Sequence, residues 1–353
     1  MNSTIHVVFP GIVTDGQYAI IVIFCCLTWI ALSLLGIVSN AINIKTFVTM
    51  GLNDGVTVSF LALSVFDLIF LIASFCQAAS ASFNVIETSS SFLFTVDPFG
   101  VTIFFGNVMI LINVTNVLST TFIAVARCMC VAKPLHFKNS FTVKRTVYFM
   151  AGFAIFAVAI YTPVLANMGM IARLNNKTKV FRQVLWLSPF RESIKNVVWM
   201  LIDMILPVIT EFVVLFCVLV MANSLRAASR FRQSSVAQQF HTDDDSNKKH
   251  INGKHVSSTA ASDKLSGKDS RVIMQVVLIS LVYIICNTPK LVVSTGGLIE
   301  PEFRLGKRYS NLYLSFNCFR KHFEIVNASI NTFIYYGYNT KFRTIINIMC
   351  RVD

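Results

Sequence analysis

Apolar residues run along this chain in long unbroken blocks, not in the alternation of half-buried strands or the spaced stripe of surface helices. No charge occurs from Gly16 to Ile44, from Pro98 to Ala126 or from Thr146 to Ala172. Each block exceeds the roughly 20 apolar residues with which a helix crosses a bilayer. Hydropathy predicts seven spans, at about 18–46, 56–80, 98–126, 146–171, 196–222, 272–297 and 312–338. They are expected to be helices, because a chain in hydrocarbon must satisfy its own backbone polar groups. The expected fold is therefore all-α. A seven-transmembrane helix bundle fills 18–338, after an extracellular N-terminal segment over 1–17. A short C-terminal interfacial helix and cytoplasmic tail follow over 339–353. Connections are short except for about 223–271, where "HTDDDSNKKH" and "SSTAASDKLSGKDS" read as a flexible loop too polar to build a core.

Composition agrees: 55% of residues are hydrophobic and 13% charged, against about 25% charged in soluble domains. The net charge of +13 then points to anionic lipid as a partner and away from nucleic acid, since basic residues beside spans favour the cytoplasmic leaflet. Of the 30 lysines and arginines, 18 fall on the side of the C-terminus. This places the N-terminus outside and the C-terminus inside, at the plasma membrane. The stretch "MNSTIHVVFPGIVTDGQY" has no basic region ahead of an apolar one, so the first span is expected to serve as uncleaved signal and anchor. Sequons at Asn2 and Asn176 then face outside as glycosylation sites, while those at Asn113 and Asn327 fall within spans. The nine cysteines lie in or near spans and suggest no external disulfide framework.

Polar residues inside spans are costly and need partners. Here they are Asn40, Asp67, Asn113, Asn116 and Arg127; then Asp203, Pro207 and Glu211; then Asn287 and Lys290; then Arg320, Lys321, His322, Glu324, Asn327 and Asn331. In their order along the chain these residues resemble the rhodopsin-like (class A) G-protein-coupled receptors across all seven spans. Asn40 in "GIVSN" and Asp67 in "LALSVFD" match the family's asparagine and aspartate. "ARC" at Ala126–Cys128 stands for Asp/Glu-Arg-Tyr, followed by "VAKPLHF". Pro207 matches the span-five proline, "CNTP" stands for Cys-Trp-x-Pro, and "NTFIY" stands for Asn-Pro-x-x-Tyr.

The resemblance implies a receptor that transmits an extracellular ligand to a heterotrimeric G protein, with no catalytic residues. Arg127, Asn331 and Tyr335 would form the coupling switch. Snorkelling of Arg127 to the interface is the plainer alternative. Ala126 removes the acid that holds this arginine in the family, and Asp269 is either its replacement or a solvated loop acid. Asp67, Asn116, Asn327 and Asn331 would converge mid-membrane, with Asn40 beside them, around a sodium ion at Asp67 or a water cluster. No other cofactor or metal is implied. The departures are Asn287 for tryptophan, Thr332 for proline, Leu215 for tyrosine, and Thr102 for a cysteine whose bridge to the second outer loop is missing at both ends.

The pocket implied by the resemblance includes Met109, Asp203, Asn287, Lys290, Arg320 and Lys321. Met109 in place of an aspartate disfavours amines, and Ile325 in place of a lysine disfavours retinal. The remaining cations suit an anionic ligand, unless Asp203 neutralises Lys290 and Glu324 pairs with Arg320. The expectation is a divergent member resembling invertebrate chemosensory or peptide receptors. On the inner side, "TKFRTIINIMC" fits a helix lying on the membrane, with Cys350 as a palmitoylation site. The competing class is a small transporter or proton-coupled carrier with an intramembrane acid/base relay. An odd span count and the absence of repeats weigh against it. No metal cluster, phosphate loop or nucleophile–base spacing suggests an enzyme.

Overall fold

The computed structural model describes residues 12–90, 92–132, 141–174, 181–243 and 267–350, with side chains described as far as 226 and again from 271. Helix α1 (Asp15–Met50) begins at a capping box in which Thr14 accepts from the Gln17 amide, and it stops at Gly51, φ 84°. α2 (Gly55–Ser89) starts under Asp54, whose carboxylate accepts from Val56 and Thr57. α3 (Pro98–Ala132) and α4 (Val143–Ala166) follow. A hairpin of β1 (Met168–Leu174) and β2 (Phe181–Leu187) precedes α5 (Arg191–Trp199), a π-helical turn (Met200–Ile205) and α6 (Leu206–Asp243). The chain then runs through α7 (Gly267–Ile299), α8 (Ser310–Tyr338) and α9 (Thr340–Met349).

Among the described residues, six helical segments are long and apolar enough to cross a bilayer: α1 to α4, the joined α5–π–α6 segment and α7. The chain is a multi-pass membrane protein, largely helical. At about 1.5 Å per residue, the 36-residue α1 is some 54 Å long, well beyond a hydrocarbon core of about 30 Å. α8 falls short of the same average apolarity because Arg320, Lys321 and Glu324 lie within one and a half turns. Its faces are nonetheless segregated. Phe316, Phe319, Phe323 and Phe333 are exposed, while Ser315, Ile325, Ala328, Asn331 and Tyr335 are buried. α8 packs between α7 and α1 and closes the ring of helices.

The fourth span was expected to reach 171, but α4 ends at Ala166. Asn167 closes it, its side chain donating to the Pro163 carbonyl at 2.8 Å, and the apolar run Met168–Ala172 becomes the first strand. β1 and β2 pair antiparallel, Met168 opposite Leu187 through Leu174 opposite Phe181. The hairpin seats on the start of α3 at Gly100. There a Cβ would lie 3.0 Å from both Leu185 and Met170, tighter than an ordinary contact, so glycine lets the hairpin approach closely. The bundle thus has a hairpin end, at β1 and β2, and an α9 end.

Candidate functional site

At mid-bundle, Asp67 of α2 is 1% exposed. Its two carboxylate oxygens accept from Asn116 of α3 at 3.1 Å and Asn331 of α8 at 2.9 Å. Three residues expected together are thus joined, one from each of three helices. Asn40 lies beside them, donating to the Ala328 carbonyl of α8 at 2.8 Å. No hydrogen bond among the described residues brings Asn327 into the cluster. Around Asp67 the amide oxygen of Asn116 and the hydroxyls of Ser64, Ser119 and Tyr335 are buried without hydrogen-bond partners. Ser64 lies one turn before Asp67, and Ser119 one turn after Asn116. Such a set of hard oxygen donors beside a carboxylate suits a small alkali cation or water.

Thr332, where the resemblance implies proline, has its own use. Its hydroxyl meets the Ser39 hydroxyl of α1, and bonds to Asn43 Oδ1 at 2.8 Å and the Ser39 carbonyl at 3.2 Å. Asn287, in the tryptophan's place, donates to the Tyr283 carbonyl one turn back at 3.1 Å. Leu215 is 42% exposed and faces outward.

At the α9 end a cavity of about 680 Å³ opens between α1, α2, α3, α7, α8 and α9. Arg127 lines it half-buried, with Arg271, Gln275, Tyr338 and Lys341. Gln275 is fully buried, and neither atom of its amide is hydrogen-bonded. Tyr335 does not line the cavity but packs in an aromatic cluster with Phe47, Phe60 and Phe342, at centroid distances of 5.0, 5.2 and 5.6 Å. Phe342 anchors α9 beneath the bundle, fully buried, while Cys350 at its end is exposed. The Asp269 side chain, Asn2 and Asn176 lie outside the described residues.

At the hairpin end the expected ligand residues form a charge network. Lys290 Nζ of α7 is 2.6 Å from Asp203 Oδ1, both nearly inaccessible. Asp203 stands on the π-helical turn, which has a local cause. Pro207 has no N–H for the carbonyl four residues back, and that carbonyl, of Asp203, accepts instead from Ser294 of α7 at 3.4 Å. Arg320 faces Glu324 at 3.7 Å and also feels the charge of Asp203. Lys290 and Arg320 are therefore internally paired and not free cations, the alternative left open by the sequence. Lys321 points elsewhere: it donates to Gln77 Oε1 at 2.9 Å and sits 5.3 Å from the Trp29 ring. Met109 packs with Trp29, Phe70 and Ile325 in a separate apolar cluster.

Sequence reasoning missed several partners in this region. Gln77 was one, and so was Asn107, which accepts at a single oxygen from Tyr161 at 2.8 Å and Arg191 at 3.4 Å. His322, one of the polar residues of the last span, meets Thr28 at 2.6 Å and Trp29 Nε1 at 3.1 Å. For Gln77 and Asn107 the available signal was an amide inside an apolar span, the reasoning already applied to Asn116. No protein-family model matches the chain, and no curated protein matches it either.

Proposed function

We propose that the chain is a divergent receptor of the rhodopsin-like class, with α8 as its seventh span, the hairpin outside and α9 on the cytoplasmic face of the plasma membrane. The outward row of phenylalanines on α8 supports its place in the bilayer, since its charges turn inward. A ligand bound at the hairpin end would shift the bundle towards a form whose α9-end cavity engages a heterotrimeric G protein. The observation that carries this reading is the cavity lined by Arg127. One turn of helix, about 10–12 Å across and 5.4 Å in pitch, occupies roughly 500 Å³, so about 680 Å³ admits the end of a partner helix. Arginine at its wall offers a fork of donors to terminal carbonyls.

A sodium ion held by Asp67, Asn116 and the hydroxyls of Ser64 and Ser119 fits the same reading. It would place the cation between the ligand end and the cavity. Modification at Asn2, Asn176 and Cys350 follows from the orientation.

The test is basal G-protein activation in a heterologous cell at matched surface expression. Arg127→Ala abolishes the signal, and Asp269→Ala raises it if that acid holds Arg127 in the closed form. A well-expressed chain that activates no G protein, but moves solute or protons in a way that depends on Asp203 and Lys290, would favour the transporter instead.

A further inference from the structure

Four charged residues among the described residues are no more than 6% exposed: Asp67, Arg191, Asp203 and Lys290. Asp203 and Lys290 neutralise one another, and Asp67 is held by two amides. Arg191 has no such partner. It sits at the start of α5, 6% exposed, and forms no ion pair among the described residues. Its Nη2 reaches Asn107 Oδ1 at 3.4 Å, an oxygen already taken by Tyr161 at 2.8 Å. Its Nε is buried with no acceptor. The neighbouring carboxylate, Glu192, is exposed on the surface. The elements around Arg191 contribute a cluster of Val114, Tyr161, Val164, Val198 and Ile202, where an aliphatic residue would pack at no electrostatic cost.

A buried charge without a counter-charge is among the least stable arrangements a bundle can hold. Its retention at the hairpin end needs a compensating group from outside the chain. The geometry points to Arg191 as the recognition point for an oxyanion, the carboxylate or sulfate group of a small extracellular molecule. The Nε and Nη edge of a guanidinium forms the fork that such a group accepts in two bonds. Asn107 and Tyr161 fix the orientation of that fork without consuming it. The inference rests on the receptor reading for the side from which the ligand enters. It narrows the ligand class from the many cations near the hairpin end to one side chain.

The test is thermal unfolding of the purified full-length chain in detergent, in sodium acetate, sodium sulfate or sodium phosphate against sodium chloride at equal ionic strength. Wild type gains about 2 °C or more in at least one oxyanion, by mass action on the folded state. Arg191→Gln loses the gain, and Arg191→Lys, which keeps the charge without the fork, keeps only part of it. Lys307→Gln, which removes an exposed cation after α7, keeps it all and so separates site binding from a bulk salt effect. An equal gain in wild type and Arg191→Gln overturns the inference. So does the absence of any gain in wild type, which would leave water as the guanidinium's partner. Should Arg191→Gln not fold, the wild-type and Arg191→Lys arms decide. None of these readouts uses a G protein, so failure here and failure of the Arg127 assay are distinct results.

Discussion

Arg182 on β2 lies 2.6 Å from the carboxylate of Glu87 at the end of α2. The same guanidinium reaches Asp97, before α3, at 3.2 Å. Backbone bonds run alongside, from Asp97 to the Gln183 carbonyl at 2.8 Å and from Gln183 to that of Thr95 at 3.0 Å. This ionic and backbone seam ties the hairpin to α2 and α3 where the resemblance implies a disulfide. Arg182→Ala should cost about 1–2 kcal/mol, because the partners are partly shielded from solvent. Amide exchange across Phe181–Leu187 should quicken while α1 and α8 keep their protection. Unchanged exchange would show that the backbone seam holds the hairpin alone.

The Asp203–Lys290 pair gives a sharper contrast. Asp203→Asn or Lys290→Met alone strands a buried charge and should cost about 3–5 kcal/mol, read as a fall in melting temperature and surface expression. The double variant should recover most of that loss. Additive losses would mean that the pair is not coupled in the membrane.

Restoring the proline of the resembled motif should harm this chain. Thr332→Pro removes the hydroxyl that meets Ser39 and Asn43, and it breaks one turn of α8, at a combined cost of about 3 kcal/mol or more. Thr332→Ser, which keeps the hydroxyl, should melt close to wild type. The comparison separates the hydroxyl contacts from mere tolerance of a kink.

If sodium occupies the Asp67 cluster, replacing a large organic cation with sodium should raise the melting temperature of wild type by a few degrees. Asp67→Asn should abolish this dependence while keeping two amide-to-amide contacts in place. A sodium effect that survives in Asp67→Asn would move the ion elsewhere.

The mid-bundle cluster of Asp67, Asn116 and Asn331 was legible through the resemblance, with which the cost of a lone polar group in lipid agrees. The partner of Lys290 stayed open until the structure placed Asp203 on the π-helical turn, since hydropathy carries no information on which way a side chain turns. The hairpin was hidden for a different reason. Met168–Ala172 is as apolar as the span before it, and only the pairing with Phe181–Leu187 makes it a strand. Arg191 was lost among the six cations between Arg173 and Lys195, because burial of one among them depends on how α5 enters the bundle. α8 shows the converse: averaged hydropathy rates it poorly, while its two faces differ sharply.

The seam between α1 and α8 also bears on how the protein is made. Thr28 bonds His322, Ser39 meets Thr332 and Asn40 reaches the Ala328 carbonyl, partners separated by 294, 293 and 288 positions in the chain. During synthesis α1 therefore precedes the partners of this face by nearly three hundred residues, until α8 is made. A chain interrupted before α8 would display those hydroxyls and amides to the bilayer, a ready mark for the machinery that destroys incomplete membrane proteins.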